Sequence, residues 1–247
     1  MSKSKEFFDV ANSYLEKLRV TQKEATLEVA KIMGDCMINN GIVQLFGIDH
    51  GIAFSMELGY RAGGLMPFHR ISVSDLVLRN VITESELTKP DFNMDISMAH
   101  KLLSIYNIHA EDMFIIISSA GNEPIVVEVA LEAKKRNQKV VAILSKSHVD
   151  ASPTLHSSGN KLSDLADVML DVTASYPDLV VKLSDGNNFN QVSTICGNVI
   201  AQMLTAETYR YLKENGKDCP ILLSANVKGA DEHNRAISDK YLGRWNS

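Results

Sequence analysis

Residues 112–145 read DMFIIISSAGNEPIVVEVALEAKKRNQKVVAILS, and the order of residue types in this stretch decides the fold. The run Met113–Ile117 has the length of a strand and no polar alternation, as expected of a strand buried on both faces. It stops at Ser118-Ser119-Ala120-Gly121-Asn122. Apolar residues then recur at helical spacing over about Pro124–Asn137, with Pro124 suited to the first turn and Asn122 to its N-cap. A second apolar run, Lys139–Leu144, ends in Ser145. Strand, helix and strand within roughly thirty residues form a βαβ unit, whose two strands must run parallel.

The same alternation extends in both directions. Upstream, helical periodicity covers about residues 5–18 and 22–39, and Gly41 stops the second helix. A strand at Ile42–Phe46 follows, then a helix over about Ile52–Ala62, a strand at Phe68–Val73 and a helix at Ile96–Tyr106. Thr88, Lys89, Pro90, Asp91 and Asn93 mark residues 78–94 as an exposed loop. Downstream come a loop through His156-Ser157-Ser158-Gly159-Asn160, a strand at Val168–Val172 and a candidate strand at Leu179–Leu183. A long helix over about Phe189–Glu214 precedes a tail with a short apolar piece, Ile221–Leu223. The pattern predicts a doubly wound sheet of five parallel strands, a flavodoxin-like three-layer α/β/α class. Residues 1–40 form a helical extension and residues 41–247 one globular unit.

Composition narrows the function classes. The 247 residues are 45% hydrophobic and 22% charged, ordinary values for a chain that buries a large core. A net charge of -5 without a basic stripe argues against a nucleic-acid partner. Cys36, Cys196 and Cys219 lie far apart without metal-ligand spacing, which fits reduced thiols, and no metal or cofactor is expected. No run approaches the ~20 apolar residues of a membrane span, and the amino terminus lacks a signal-peptide core. The expectation is a cytoplasmic protein without a membrane partner.

Two adjacent strands that end in hydroxyls point to an anion. In an open parallel sheet, ligands lie beyond the carboxyl ends of the strands, where helix N-termini present free N–H groups. Ser118 and Ser119 add donors there, Gly121 admits a close backbone approach, and Ser145 and Ser147 repeat the pattern. Turn and cap chemistry alone explains the same residues equally well. Neither GxxxxGK[ST] nor GxGxxG is present, so the expected ligand is a small phosphorylated molecule rather than a nucleotide.

The segment MFIIISSAGNEPIVVEVALEAKKRNQKVVAILS resembles the central motif of the SIS (sugar isomerase) domain family, in which a strand ends in Ser-x-Ser-Gly-like residues. VQLFGIDHGIAFSMELGYRAGGL is similar to the family's first strand–loop–helix, and HSSGNKLSDLADVMLDV to the segment completing its sheet. SANVKGADEHNRAISDKYLGR resembles the tail of a stand-alone bacterial branch, so the likeness spans about residues 42–244. The resemblance implies a phosphorylated sugar as ligand and a homodimer or homotetramer with sites near subunit contacts. It implies aldose–ketose isomerisation, with lyase or deaminase chemistry on an amino-sugar phosphate, or non-catalytic sensing, as alternatives.

Isomerisation needs a base beside the carbonyl and a group that shuttles protons between two oxygens. Ser55-Met56-Glu57-Leu58 lines up with the Ala-Glu-Glu-Leu of phosphoheptose isomerases, whose second glutamate is the base; this implies Glu57. An i,i+4 ion pair with Arg61 is the ordinary alternative. His50 in the first loop is the candidate shuttle and His156 the second, with loop closure as its ordinary role. His69, His100, His109 and His148 rank below them, and His233 is placed to reach a neighbouring subunit. Gly47, Asp49, Asn122, Glu123 and Ser158 complete the expected sugar-phosphate contacts. Two departures stand out. Related sequences read Gly-x-Gly-His-Ser where this chain has Gly47-Ile48-Asp49-His50-Gly51, and Phe189–Thr194 lacks the histidine that phosphoheptose isomerases carry on their last long helix.

Overall fold

A computed structural model describes residues 2–244. The chain begins with two packed helices, α1 (Lys3–Thr21) and α2 (Lys23–Ile38). Then come β1 (Val43–Gly47), α3 (Gly51–Leu58), β2 (Phe68–Ile71), α4 (Ser74–Leu78), α5 (Glu84–Leu87) and α6 (Ser97–Ser104). The central βαβ unit is β3 (Met113–Ile117), α7 (Pro124–Lys135) and β4 (Val140–Leu144). Short helices α8 (Lys146–Ala151) and α9 (Leu162–Leu165) lead to β5 (Val168–Asp171). A ribbon, β6 (Val181–Lys182) and β7 (Asn188–Phe189), precedes α10 (Ser193–Glu214) and α11 (Ala230–Ser238).

Five strands pair in the order β2-β1-β3-β4-β5, every neighbour parallel. This is the flavodoxin-like order, in which the sequence of strands reverses between β1 and β3 while every strand keeps the same direction. Strands β3 and β4 are buried at every residue because helices cover both faces. Their side chains divide by parity. Met113, Ile115, Ile117, Val141 and Ile143 join the core under α1, α2, α3 and α10, whereas Phe114, Ile116, Ala142 and Leu144 join the core under α6 and α7. The opening helices are part of the first core through Leu18, Val29 and Met33, all fully buried.

The structure departs from expectation where long-range contacts override local signals. Residues 78–94 are not simply an exposed loop: Ile82 and Phe92 are buried, and a Thr83–Glu86 capping box starts α5. Leu179–Leu183 contributes only a two-residue strand to the antiparallel ribbon, outside the main sheet. The long helix begins at Ser193 rather than near Phe189, and the tail forms α11. Asn122 does not cap α7; Glu123 holds that position, and the Asn122 amide donates to the Pro153 carbonyl at 2.9 Å. At the end of α2 the left-handed residue is Asn40, while Gly41 is required because a Cβ there would lie 2.2 Å from the Glu111 carbonyl oxygen. Among the described residues, no helix is long and apolar enough to cross a membrane.

Candidate functional site

Beyond the carboxyl ends of β1, β3, β4 and β5 the loops part to leave a cleft of about 80 Å³, open to solvent on one side. Its position is dictated by topology, since the β1 and β3 loops turn to opposite faces of the sheet and leave a gap between them. His50 and Gly51 enter from the β1 loop, Ser118 and Ser119 from the β3 loop, and Ser145 and His148 from the β4 side. Asp178, Gln191 and the first turn of α10, Ser193 and Thr194, close the far wall. Phe54, Ile117, Ile143 and Val172 form an apolar floor.

Three local devices shape this wall. Gly121 adopts φ +64°, and a Cβ there would come within 2.8 Å of Leu162 Cβ, so the turn after β3 needs glycine on both counts. Asp49 sits at φ +49°, a left-handed position that aspartate tolerates. That accounts for the glycine related sequences place there. Thr173, a β-branched residue at φ +61°, puts strain at the end of β5 beside the cleft.

The hydrogen bonds define which groups face inward. The Ser145 and Ser147 hydroxyls both donate to the Ala174 carbonyl, at 2.9 and 2.6 Å. With the Ser145 proton so committed, the 2.9 Å contact between His148 Nδ1 and Ser145 Oγ is a donation from the ring. In the neutral ring, Nε2 of His148 is then the acceptor, a lone pair available for proton transfer. Tyr176 packs edge-on against that ring at 5.1 Å. Asp178 accepts from the Val192 and Ser193 amides at 3.2 and 3.1 Å and caps α10. Among the described residues, the hydroxyls of Ser119, Ser193 and Thr194 make no hydrogen bond, and no lysine or arginine lines the cleft. Attraction for an anion must come from the hydroxyls and from those first-turn N–H groups of the 22-residue α10 that Asp178 leaves free.

Of the residues expected from sequence, His50, Ser118, Ser119 and Ser145 meet in this cleft. Gly47, Gly121, Glu123 and Ser147 stand just behind it. The Ser118 hydroxyl accepts from the Gly121 amide and donates to Glu123 Oε2, both at 2.8 Å, so Glu123 already occupies part of the serine's bonding capacity. Asp49 is exposed beside His50. Glu57 is not in the lining; on α3, one turn past Phe54, it is bonded by Arg61 and by Gln202 of α10. Asn122 turns away to Pro153. His156 and Ser158 are also outside the lining: His156 is buried with Nε2 2.9 Å from Glu128 Oε2 and Nδ1 2.8 Å from Ser158 Oγ. His148 ranked only among the weaker histidine candidates, and Asp178, Gln191, Ser193 and Thr194 were not singled out from sequence as site residues. The SKSH tetrapeptide after β4 was the one available signal, since a histidine three residues past a strand-end serine returns to it on a helix.

Comparison with known proteins agrees with this architecture. The model of the SIS domain family matches residues 6–145. A UPF0309 protein of Geobacillus kaustophilus is 32% identical, the match covering 97% of this chain and 94% of the relative. One from Thermoanaerobacter pseudethanolicus is 31% identical over 97% of each. A phosphoheptose isomerase structure from Francisella tularensis superposes with a TM-score of 0.56 at 16% identity, covering 85% of this chain and 100% of that one.

Proposed function

This chain belongs to the SIS domain family, and on that premise we propose that it binds a sugar phosphate in the rim cleft and catalyses aldose–ketose proton transfer on it. The observation that carries the reading is the convergence of the Ser118, Ser119, Ser145, Ser193 and Thr194 side chains on one cleft at the N-terminus of α10. At about 80 Å³ the cleft holds the volume of roughly two or three waters, which suits a tetrahedral anion rather than a whole sugar. The sugar then projects through the open side, past His50 and His148.

In this reading Ser119, Ser193 and Thr194 donate to the phosphate oxygens, assisted by the first-turn N–H groups of α10 that Asp178 leaves free. His148 Nε2 moves a proton between the two sugar oxygens. Glu57 removes the proton from carbon once a ligand draws it from Arg61 and Gln202. Its engagement by those two residues favours a second reading, in which the protein binds the ester without turning it over.

Incubation with hexose, hexosamine and heptose phosphates in deuterated water separates the readings. Deuterium at the carbon next to the carbonyl is the expected result. Thermal stabilisation without exchange leaves binding alone, while release of ammonia or lactate points to deaminase or lyase chemistry. No stabilisation by any of these esters overturns the proposal. Glu57→Gln is expected to keep ligand-induced stabilisation while exchange slows by about 10²-fold or more; parallel loss of both identifies Glu57 as structural.

A further inference from the structure

We propose that His100, Glu128 and Glu132 form a binding site for a divalent first-row metal ion, zinc foremost, between α6 and α7. One ligand atom from each lies within 4.8 Å of the others. Two ligands on one zinc are about 3.3 Å apart, given bonds of ~2.0–2.1 Å. His100 Nε2 and Glu128 Oε1 already stand 3.1 Å apart, and Glu132, one turn along α7, has Oε1 3.8 Å from the other ring nitrogen, Nδ1, so it must turn toward the Nε2 side to complete the set.

Glu128 makes this more than a surface cluster. Its side chain is 7% exposed, on a helix whose other residues there, Ile125, Val126 and Val129, are fully buried. A carboxylate in such a place requires compensation. His156 does not supply a charge. The Ser158 amide donates to His156 Nδ1 at 3.0 Å, so that nitrogen carries no proton and the Nε2 proton goes to Glu128 Oε2. The neutral imidazole thus fixes one carboxylate oxygen and leaves Oε1 directed at His100. Metal sites orient their ligands with such outer partners.

A cation already fills the focus. Lys135 Nζ lies 2.7 Å from Glu132 Oε1 and 3.8 Å from Glu128 Oε1. That ammonium shows that the focus of these carboxylates accommodates positive charge. Lys135 is 62% exposed in the last turn of α7, free to swing into water when a doubly charged ion takes its place. One imidazole and two carboxylates favour zinc, cobalt or manganese over magnesium and calcium, which prefer all-oxygen sites. The bound ion would staple α6 to α7 and, through His156, tether the segment whose Pro153 carbonyl receives the Asn122 amide.

Chelator-treated full-length protein titrated with zinc by calorimetry, and with cobalt by visible absorption, tests the site. The expected result is one equivalent per chain with ligand-field bands in the cobalt form. His100→Ala and Glu132→Gln replace partly exposed ligands, and circular dichroism checks that each folds. Each should weaken zinc binding at least about tenfold and alter the cobalt bands. Absence of stoichiometric binding in the parent protein overturns the proposal. Parent-like affinity and spectra in both variants would also overturn it, by putting the ion elsewhere.

Discussion

The amino and carboxyl ends of the central strands both hold polar groups, wired in opposite ways. At the amino end Asp112 is buried and accepts from the Ile42 amide, Gln44 Nε2, the His109 amide and Arg244, at 2.9, 2.9, 3.0 and 2.5 Å. Four donors fill the roughly four lone-pair sites of a carboxylate. Gln44 passes its remaining acceptor to His69 Nδ1, and Arg244 reaches the Asn40 carbonyl, so the saturation centres on Asp112; Arg244 Nε and Gln138 Oε1 nearby make no hydrogen bond among the described residues. At the carboxyl end Ser119, Ser193 and Thr194 keep hydroxyls unpaired among the described residues, toward an open cleft. Saturated polar groups hold a fold together, whereas unsaturated ones around a cavity are fitted to something that comes and goes.

If that contrast is right, the largest effect of any single substitution here falls at the saturated end. Asp112→Ala leaves the largely buried Arg244 guanidinium with only the more distant Glu111, at 3.7 Å, strands three other donors, and should cost about 3–5 kcal/mol of stability. Urea unfolding measures it, and ligand-induced stabilisation of the remaining folded protein should be unchanged. A cost under about 1 kcal/mol would break the comparison, since the network would then be ornamental.

The carboxyl end should respond in affinity and not in stability. Ser119→Ala with Thr194→Val should raise the Kd for a sugar phosphate on the order of tenfold, about 1.4 kcal/mol, with an unfolding midpoint close to the parent's. Glu123→Gln sharpens the test by reversing the sign. Removing a carboxylate 2.8 Å from the Ser118 hydroxyl takes a like charge from the anion's path, so affinity should rise by roughly threefold or more. Weaker binding in Glu123→Gln would show that the carboxylate grips the sugar instead.

How far each end was legible from sequence follows from the same contrast. Strand β3 was readable to its ends because five consecutive apolar residues bounded by Asp112 and Ser118 admit one assignment, and the strand-end serines announced the rim. Gly121 announced its turn, since a left-handed residue has few chemical solutions. Ser193 and Thr194 were hidden inside an overlong helical pattern, and the Asp178 carboxylate that starts α10 fourteen residues later leaves no local trace. Arg244 and Asp112 are 132 positions apart, so nothing in either neighbourhood announces their pairing. His156 beside Ser158 read as a loop histidine and second shuttle candidate, but the partner that buries it, Glu128, lies 28 residues upstream on α7. Thr83 and Glu86 were a missed local signal, a capping box obscured by the proline and asparagine that follow.

At neutral pH the smallest effect belongs to His69, and its signature is a slope. Burial pushes the imidazole down to about 4 from its ordinary 6.5, outweighing the attraction of Asp75 and Asp112. The unfolded chain takes up this proton near pH 6.5 and the folded one only near 4, so within that window the unfolded state binds more protons. Stability from this residue is therefore complete above pH 6.5 and falls as pH drops toward 4, by at most about 1.4 kcal/mol per pH unit. His69→Gln retains a donor for Gln44 Oε1 and removes the titration. Its stability should lie within about 1 kcal/mol of the parent at pH 7.5 and gain on it steadily below pH 6.5. Profiles that stay parallel down to pH 4 would mean that His69 takes up its proton without breaking the network, and the amino end would not be the closed structure its hydrogen bonds describe.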